Sequence, residues 1–489
     1  MPELPELGVG ITYASVLEPL FREAPHLFDV VEIEPQTVWL QSQATPAIYS
    51  VSETTLHHLA ALPGKKLIHS VGTPVGGAVR PEPQQLALLR TMVDSLGSPW
   101  ASDHLSFNST GEFKTGFFLP PRQTEEAVEY ITRNVHDLQQ ALGVPIAVET
   151  GVNYLQPRSD EIPDGLFTAT VVQRADCGIL LDLHNIFANE LNGRQTMQDF
   201  LAQLPLDRVW EVHLAGGMEI DDYWLDAHSG AIAEPLFEIA QKVIPTLPNL
   251  RAIIFEIFPA YVQSVGLSLV RSQIERLHEL WDNRYQPPPT QRPHRPPLVQ
   301  SIESSNDLVS SSEWESTFGA LVVGREPQGD FANQLAADPG ISLIKKLVNE
   351  FRGSMIVNVL PLTSRMIMLS LGVDTFRVIL AGFWRESPPQ LFSSAEALAF
   401  SDFLRHQEFP YPKLMKILEY ECAVVETLLD NQTRIISFEF DPFPLIRALA
   451  QRRLPEVAGA VGVFEIEITG ESLESAASST VVGGVFPFH

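Results

Sequence analysis

Residues 177–193 read CGILLDLHNIFANELNG. Cys177 to Leu181 are five apolar residues in a row, the pattern of a strand covered on both faces. The run then meets Asp182, His184 and Asn185, which have little use in a core but can bind a metal or move a proton. Working outward, similar runs recur: ELGVGITY (6–13), FDVVEIE (28–34), KLIHSV (66–71), WASDHLSF (100–107), PIAVET (145–150), RVWEVHLAG (208–216) and RAIIFEIFP (251–259). With GILLDLH (178–184) they make eight. Helix-like stretches such as TEEAVEYITRNVHDLQQAL (124–142) and EPLFEIAQKVI (234–244) separate most of them. Strand–helix alternation implies parallel strands with right-handed crossovers. Eight such units in about 250 residues is the count and size of an α/β fold of the (β/α)8 TIM-barrel kind. An open doubly wound sheet competes, but it would show a glycine-rich phosphate turn after its first strand, and GVGITYAS (8–15) is not one.

The proline-rich and then serine-rich segment 284–313 reads as a stiff, exposed linker. It divides a barrel (1–283) from a smaller α+β domain (314–472) and a loose tail (473–489). In the second domain, helical patterns at 340–356, 364–383, 394–407 and 411–429 precede strand-like TRIISFEF (433–440) and GVFEIEITG (462–470), with the helix PLIRALAQRR between them.

Composition narrows the function. Apolar residues make up 45% of the 489, the share of a globular chain, and no apolar run is long enough to span a membrane. The start, MPELPELGVG, has no basic region and no apolar core of a secretory signal. Two cysteines, Cys177 and Cys422, exclude a disulfide framework and a thiolate zinc site, and suit a reducing cytoplasm. With 60 acidic and 33 basic residues the formal charge is −27, which repels nucleic acid and anionic lipid.

Active sites of such barrels lie at the carboxyl ends of the strands. There the third run offers His69, the fourth Asp103 and His104, the fifth Glu149, and the sixth Asp182, His184 and Asn185. The seventh gives Glu211 and His213, with Asp226 and His228 in the loop after it, and the eighth gives Glu256. Glu32 and Glu34 stand on the second. Any one of these has an ordinary structural reading as a core histidine or a helix cap. Their convergence does not, because buried carboxylates are rare unless paired or metal-bound, and no lysine or arginine stands beside these groups. Multivalent cations would neutralise them. Imidazole, carboxylate and amide oxygen without thiolate suit iron, manganese or zinc. Nine candidate ligands, His69, His104, Glu149, Asp182, Asn185, His213, Asp226, His228 and Glu256, exceed the four to six donors of one ion, so two or three ions bridged by carboxylates fit better. His184, read as strand, alternates away from the inward positions and is left as a supporting group. Glu34, Asp103 and Glu211 are further supporting candidates, Glu211 and Asp103 as acceptors for imidazole N–H groups.

SDHLSF, AVETGVNYL, GILLDLHNIFANELNG, EVHLAGG, LDAHSG and IIFEIFP, in that order, together with LIHSVGTPVGG, resemble the multinuclear non-heme iron-dependent oxidative enzymes, the family of the methanobactin-biosynthesis oxidase. The resemblance covers about residues 6–265. It implies a (β/α)8 barrel holding two or three iron ions, mixed-valent Fe(II)/Fe(III), on the same nine residues. It implies O2-dependent oxidation of a residue, often cysteine, in a ribosomally made precursor peptide, with a separate partner protein recruiting the peptide. The stretch EALAFSDFLRHQEFPYPKLMKILEYECAVVETLL (396–429) is similar to such partners, which implies a fused partner in this chain. Three positions depart from the family pattern. Glu34-Pro35-Gln36-Thr37 replaces His-Pro-Glu-Asn, Thr150 follows Glu149 where asparagine is common, and Ile257-Phe258 follows Glu256 where an acid is common. Two other classes fit the residues alone: a divalent-metal barrel isomerase or hydrolase acting on a sugar or phosphoester, and a non-catalytic peptide-binding scaffold.

Overall fold

The computed structural model describes residues 3–42, 48–284, 309–407, 412–455 and 460–473. Eight parallel strands close into a barrel: β1 (Gly8–Thr12), β2 (Val30–Ile33), β3 (Lys65–Ser70), β4 (Ala101–His104), β5 (Ile146–Glu149), β6 (Gly178–Asp182), β7 (Val209–Ala215) and β8 (Ala252–Glu256). Each strand pairs with its sequence neighbours, and β1 closes on β8 with Gly8 opposite Ala252. Helices return the chain between strands. In Glu125–Leu142, Thr124 caps the start by accepting the Ala127 N–H, and Gly143 ends the helix in the left-handed region. Val128, Ile131, Val135, Leu138 and Leu142 are buried on it at helical spacing.

Side chains alternate in and out along the barrel strands. Val30, Leu67, Trp100, Ala147, Leu180, Ala252 and Ile254 pack in one apolar cluster that plugs the amino end. Two residues beyond the last of these on β2, β3, β5, β6 and β8 stand Glu32, His69, Glu149, Asp182 and Glu256. The period of the strand therefore lifts a layer of acids and imidazoles directly above an apolar floor.

The sixth run is shorter as a strand than its sequence suggests. It ends at Asp182, whose Oδ1 accepts the Asn185 N–H and caps the helix Leu183–Leu191. His184 therefore lies on the first helical turn, and strand alternation does not govern where it points.

The chain falls into two compact units, Met1–Gln36 with Thr55–Lys345, and Thr37–Thr54 with Lys346–His489. Residues 311–345 thus belong with the barrel rather than with the second domain expected from 314 onward. Trp314 and Glu315, on the helix Ser311–Val322, are buried there. The Trp314 indole N–H donates to the Pro120 carbonyl at 3.4 Å, and Phe318 meets Phe107 edge-on. Glu315 accepts from the Ala78 N–H at 2.8 Å and the Tyr130 hydroxyl at 3.3 Å. Of the expected linker and tail, residues 285–308 and 474–489 lie outside the described residues.

The second unit is mainly helical, with an antiparallel pair Arg434–Phe440 and Val461–Ile468. Its core includes Phe376, Phe383, Phe400, Leu418, Val425 and Phe438. A buried ion pair joins Arg352 Nε to Glu396 at 2.6 Å. The pattern expected as one helix at 364–383 is two helices, Pro361–Leu371 and Val373–Glu386, because Gly372 takes φ 93° between them. The excursion 37–54 joins this unit through Trp39 and Tyr49 against Phe392, and through the Gln41 N–H on Ser394 Oγ at 3.0 Å. Both cysteines are free and buried, and burial pushes the Cys177 thiol up to about 12. Among the described residues no single helix is long and apolar enough to cross a membrane.

Candidate metal centre

Eight of the nine expected ligands gather at the carboxyl end of the barrel in three adjoining groups, and Asn185 stands on the first turn of the helix that Asp182 caps. In the first, Glu149 Oε2 lies 3.6 Å from His69 Nε2 and 3.0 Å from His104 Nε2. In the second, His213 Nδ1 lies 3.9 Å from Glu149 Oε1 and 3.2 Å from Glu256 Oε2, and Asp182 completes a set with Glu149 and His213. In the third, His228 Nε2 lies 2.9 Å from Asp226 Oδ1 and 3.5 Å from Glu256 Oε2. Glu149 is common to the first two groups and Glu256 to the last two. Ligands about 2.1 Å from one ion stand roughly 3.0 to 3.4 Å apart, depending on coordination geometry, so the three shorter contacts, at 3.0, 3.2 and 2.9 Å, are close to those of groups sharing an ion, and the other three are wider.

The hydrogen bonding agrees with that reading. Glu149 Oε2, Asp182 Oδ2, Asn185 Oδ1, His213 Nδ1 and His228 Nε2 are all buried without a hydrogen-bond partner. Native interiors rarely leave such atoms without a hydrogen bond, and here five of them come from the nine expected ligands, three of which (Glu149 Oε2, His213 Nδ1 and His228 Nε2) face an ion-pair partner at 2.9 to 3.2 Å instead. Each could hold a cation through that atom.

The other ring nitrogens are engaged, which aims the free ones inward. His69 Nδ1 meets Ser102 Oγ at 2.9 Å, and His104 Nδ1 donates to the Ser70 carbonyl at 3.1 Å. His213 Nε2 donates to Glu32 Oε2 at 3.2 Å, with Glu211 Oε1 farther away at 3.6 Å. Glu32 also accepts the Thr12 hydroxyl, and Glu211 accepts the Trp100 indole N–H at 3.1 Å. The nearest acceptor for His213 Nε2 is therefore Glu32, which sequence reasoning placed on its strand without giving it a role. Its inward position was legible from the alternation with Val30. Asp103 serves differently from expectation: it accepts the His104 backbone N–H at 2.7 Å and the Thr73 hydroxyl at 2.8 Å.

Electrostatics carries the strain of so much charge. Burial, then Asp226, Glu149 and Glu256, hold the Asp182 carboxyl well above its ordinary pKa. Burial opposes charging His104 and His228, yet Glu149 lifts the first to about 9, and Asp226 with Glu256 lift the second to about 10. Burial and the three neighbouring histidines push His69 well below its usual value. Burial raises Glu34 to about 7, with Glu256 adding to the effect and His228, His104 and His213 opposing it.

Each departure from the family pattern has a local job. The Gln36 amide N–H donates to Ser70 Oγ, and its carbonyl accepts the Val71 N–H, which ties down the loop after β3. The Thr150 hydroxyl accepts the Asp182 N–H at 2.9 Å and steadies the end of β6. The Phe258 ring lies 4.5 Å from that of His228, and Phe118 stacks on His104 at 4.1 Å.

A parallel eight-stranded barrel whose acids and imidazoles gather at its carboxyl end is the architecture of a barrel enzyme, and these groups could hold metal ions. Residues 8–258 match the family described as RiPP precursor modification enzyme MbnB/TglH/ChrH. A UPF0276 protein of Chromobacterium violaceum is 30% identical over 221 residues, 45% of this chain and 80% of the relative. A UPF0276 protein of Streptomyces avermitilis is 31% identical over 222 residues, 44% of this chain and 46% of that protein. The chain belongs to the MbnB/TglH/ChrH family of enzymes that modify precursors of ribosomally made peptides. Among solved structures, a D-psicose 3-epimerase from Clostridium cellulolyticum aligns with a TM-score of 0.37 and 10% identity, covering 56% of this chain and 96% of its own. A zinc-bound IOLI protein aligns with a TM-score of 0.36 and 14% identity, covering 57% and 99%.

Proposed function

We propose that this chain is a multinuclear non-heme iron enzyme that oxidises a residue, cysteine or another, in a ribosomally synthesised precursor peptide, using dioxygen. The observation that carries the reading is the set of five buried ligand atoms that make no hydrogen bond, beside imidazoles that converge on the shared carboxylates Glu149 and Glu256. His69, His104 and Glu149 would hold one ion, and Glu149, Asp182, His213 and Glu256 a second. Asp226, His228 and Glu256 would hold a third, with Asn185 offering its amide oxygen among them. Iron bound there would supply open positions for dioxygen and for the peptide side chain, and would take up the electrons of the oxidation.

The chain's own groups do the rest. Glu149 and Glu256 offer two oxygens each, so they can bridge neighbouring positions. Glu32 keeps the His213 proton on Nε2 and leaves Nδ1 as a lone pair. The Phe118 and Phe258 rings cover His104 and His228, the two histidines nearest solvent, and keep water from that edge. The second unit would recruit the precursor, serving as a partner fused in the same chain. The test is coproduction with short peptides encoded beside the gene, followed by mass measurement. A mass change that needs iron, oxygen and His213 supports the reading. Turnover of a sugar or phosphoester with manganese or zinc, and no oxygen uptake, would replace it.

A further inference from the structure

Beside the third ligand group lies a chain of side chains whose chemistry allows one arrangement of protons. The Trp224 indole N–H donates to His184 Nε2 at 3.2 Å. Indole is a donor and never an acceptor, so Nε2 must present its lone pair and the ring carries its proton on Nδ1. That Nδ1 lies 3.0 Å from Asp226 Oδ1, to which it donates. We propose that Trp224 and His184 are positioning residues: Trp224 fixes the tautomer of His184, and His184 thereby holds the Asp226 carboxylate in its metal-binding orientation. The proposal rests on the metal reading above and goes beyond it, since it concerns residues that touch no ion.

Three further observations support it. His184 is buried, and both of its ring nitrogens are engaged, so it is not itself a ligand. Trp224 is clamped at its backbone by Asn192, which accepts the Trp224 N–H at 2.8 Å and donates to its carbonyl at 2.9 Å. Gly217 passes so close that a Cβ there would collide with both Trp224 Nε1 and His184 Nε2. The second glycine of EVHLAGG thus has a physical reason: a side chain at 217 would part the indole from the imidazole. Asn192 follows the same helix that begins at Asp182 and carries Asn185, and Trp224 lies in the hairpin that leads into Asp226 and His228. The chain of bonds therefore ties the ligands of the third group to those of the second.

The test is ferrous iron binding to the full chain under anaerobic conditions, measured by chelator competition, in wild type, Trp224→Phe, His184→Ala and His184→Asn. Unfolding in chelator is measured alongside, to register any loss of fold. Outer hydrogen-bond partners typically change metal affinity about 10- to 100-fold. Trp224→Phe and His184→Ala are expected to weaken one ion by that factor and leave the others. His184→Asn places an amide N–H where Nδ1–H stands and is expected to restore it. Wild-type affinity in Trp224→Phe or His184→Ala overturns the proposal, as does failure of the asparagine variant to rescue. A wild-type chain that binds no iron overturns the metal reading itself, a distinct outcome.

Discussion

Asp182→Asn should have opposite consequences with and without metal. Asp182 is fully buried, its Oδ1 caps the helix Leu183–Leu191, and its Oδ2 has no partner. Asparagine keeps an oxygen for the cap and removes the charge. In chelator the substitution should therefore cost nothing, or stabilise by about 1 to 3 kcal/mol, the penalty for an uncompensated buried polar group. Asp182→Ala also loses the cap and should fall about 1 kcal/mol below the asparagine variant. With free ferrous iron at a hundredfold excess over its dissociation constant, wild type should gain about 2.7 kcal/mol from each ion bound to the folded state. The asparagine variant should forgo most of the gain from one ion. Urea unfolding under anaerobic conditions, in chelator and in iron, reads all four quantities. The reasoning is refuted if Asp182→Asn destabilises the chelated chain as much as Asp182→Ala does, or if its gain from iron equals that of wild type.

Other expectations follow from particular contacts. Trp314→Ala should destabilise the barrel by about 3 to 5 kcal/mol in urea unfolding, because this buried indole packs against it; a neutral result would detach residues 311–345 from that unit. Iron binding at pH 7 should release protons from His104 and His228, held near 9 and 10 by their carboxylate neighbours, and the release should shrink as the pH is raised toward 10. Proton release measured with a dye in weak buffer checks this, and release that does not change with pH would contradict it. Burial raises Glu421, which accepts the Leu362 and Thr363 N–H groups, from 4.5 to about 7. The folded state then keeps a proton that the unfolded state loses, so this contribution is complete below 4.5 and fades as the pH rises through 7, by on the order of 3 kcal/mol. Glu421→Gln should remove that slope between pH 5 and 8, and identical slopes in the two proteins would refute it.

Much of the barrel was legible because its strands are buried on both faces and punctuated by amphipathic helices. All eight runs became strands, with ends shifted by a few residues. The shift at the sixth run has a physical cause: Asp182 is both the last strand residue and a helix cap, and a cap can be read from a sequence only if the strand's end is already known. The layer of candidate ligands was legible through strand period, since each candidate on β3, β5, β6 and β8 stands two residues beyond an apolar floor residue. The supporting layer was not. Ser102 under His69 and the Ser70 carbonyl under His104 depend on which strands are neighbours in the closed barrel, and Glu32 under His213 joins strands that are not neighbours, all of which lies outside any single run. The domain boundary misled for another reason. Composition marks a linker, but nothing in SSEWESTFGALV says that its helix packs back on the barrel through Trp314 and Phe318.

The central claim is that this cavity needs cations, and counting them tests it most directly. The full chain, reconstituted with ferrous iron without oxygen and freed of loose metal, would be analysed for iron per polypeptide beside Asp182→Asn and His213→Ala. More than one iron per wild-type chain, reduced in both variants while their fold in chelator is kept, is the predicted result. A folded wild-type chain that retains no iron would contradict the account.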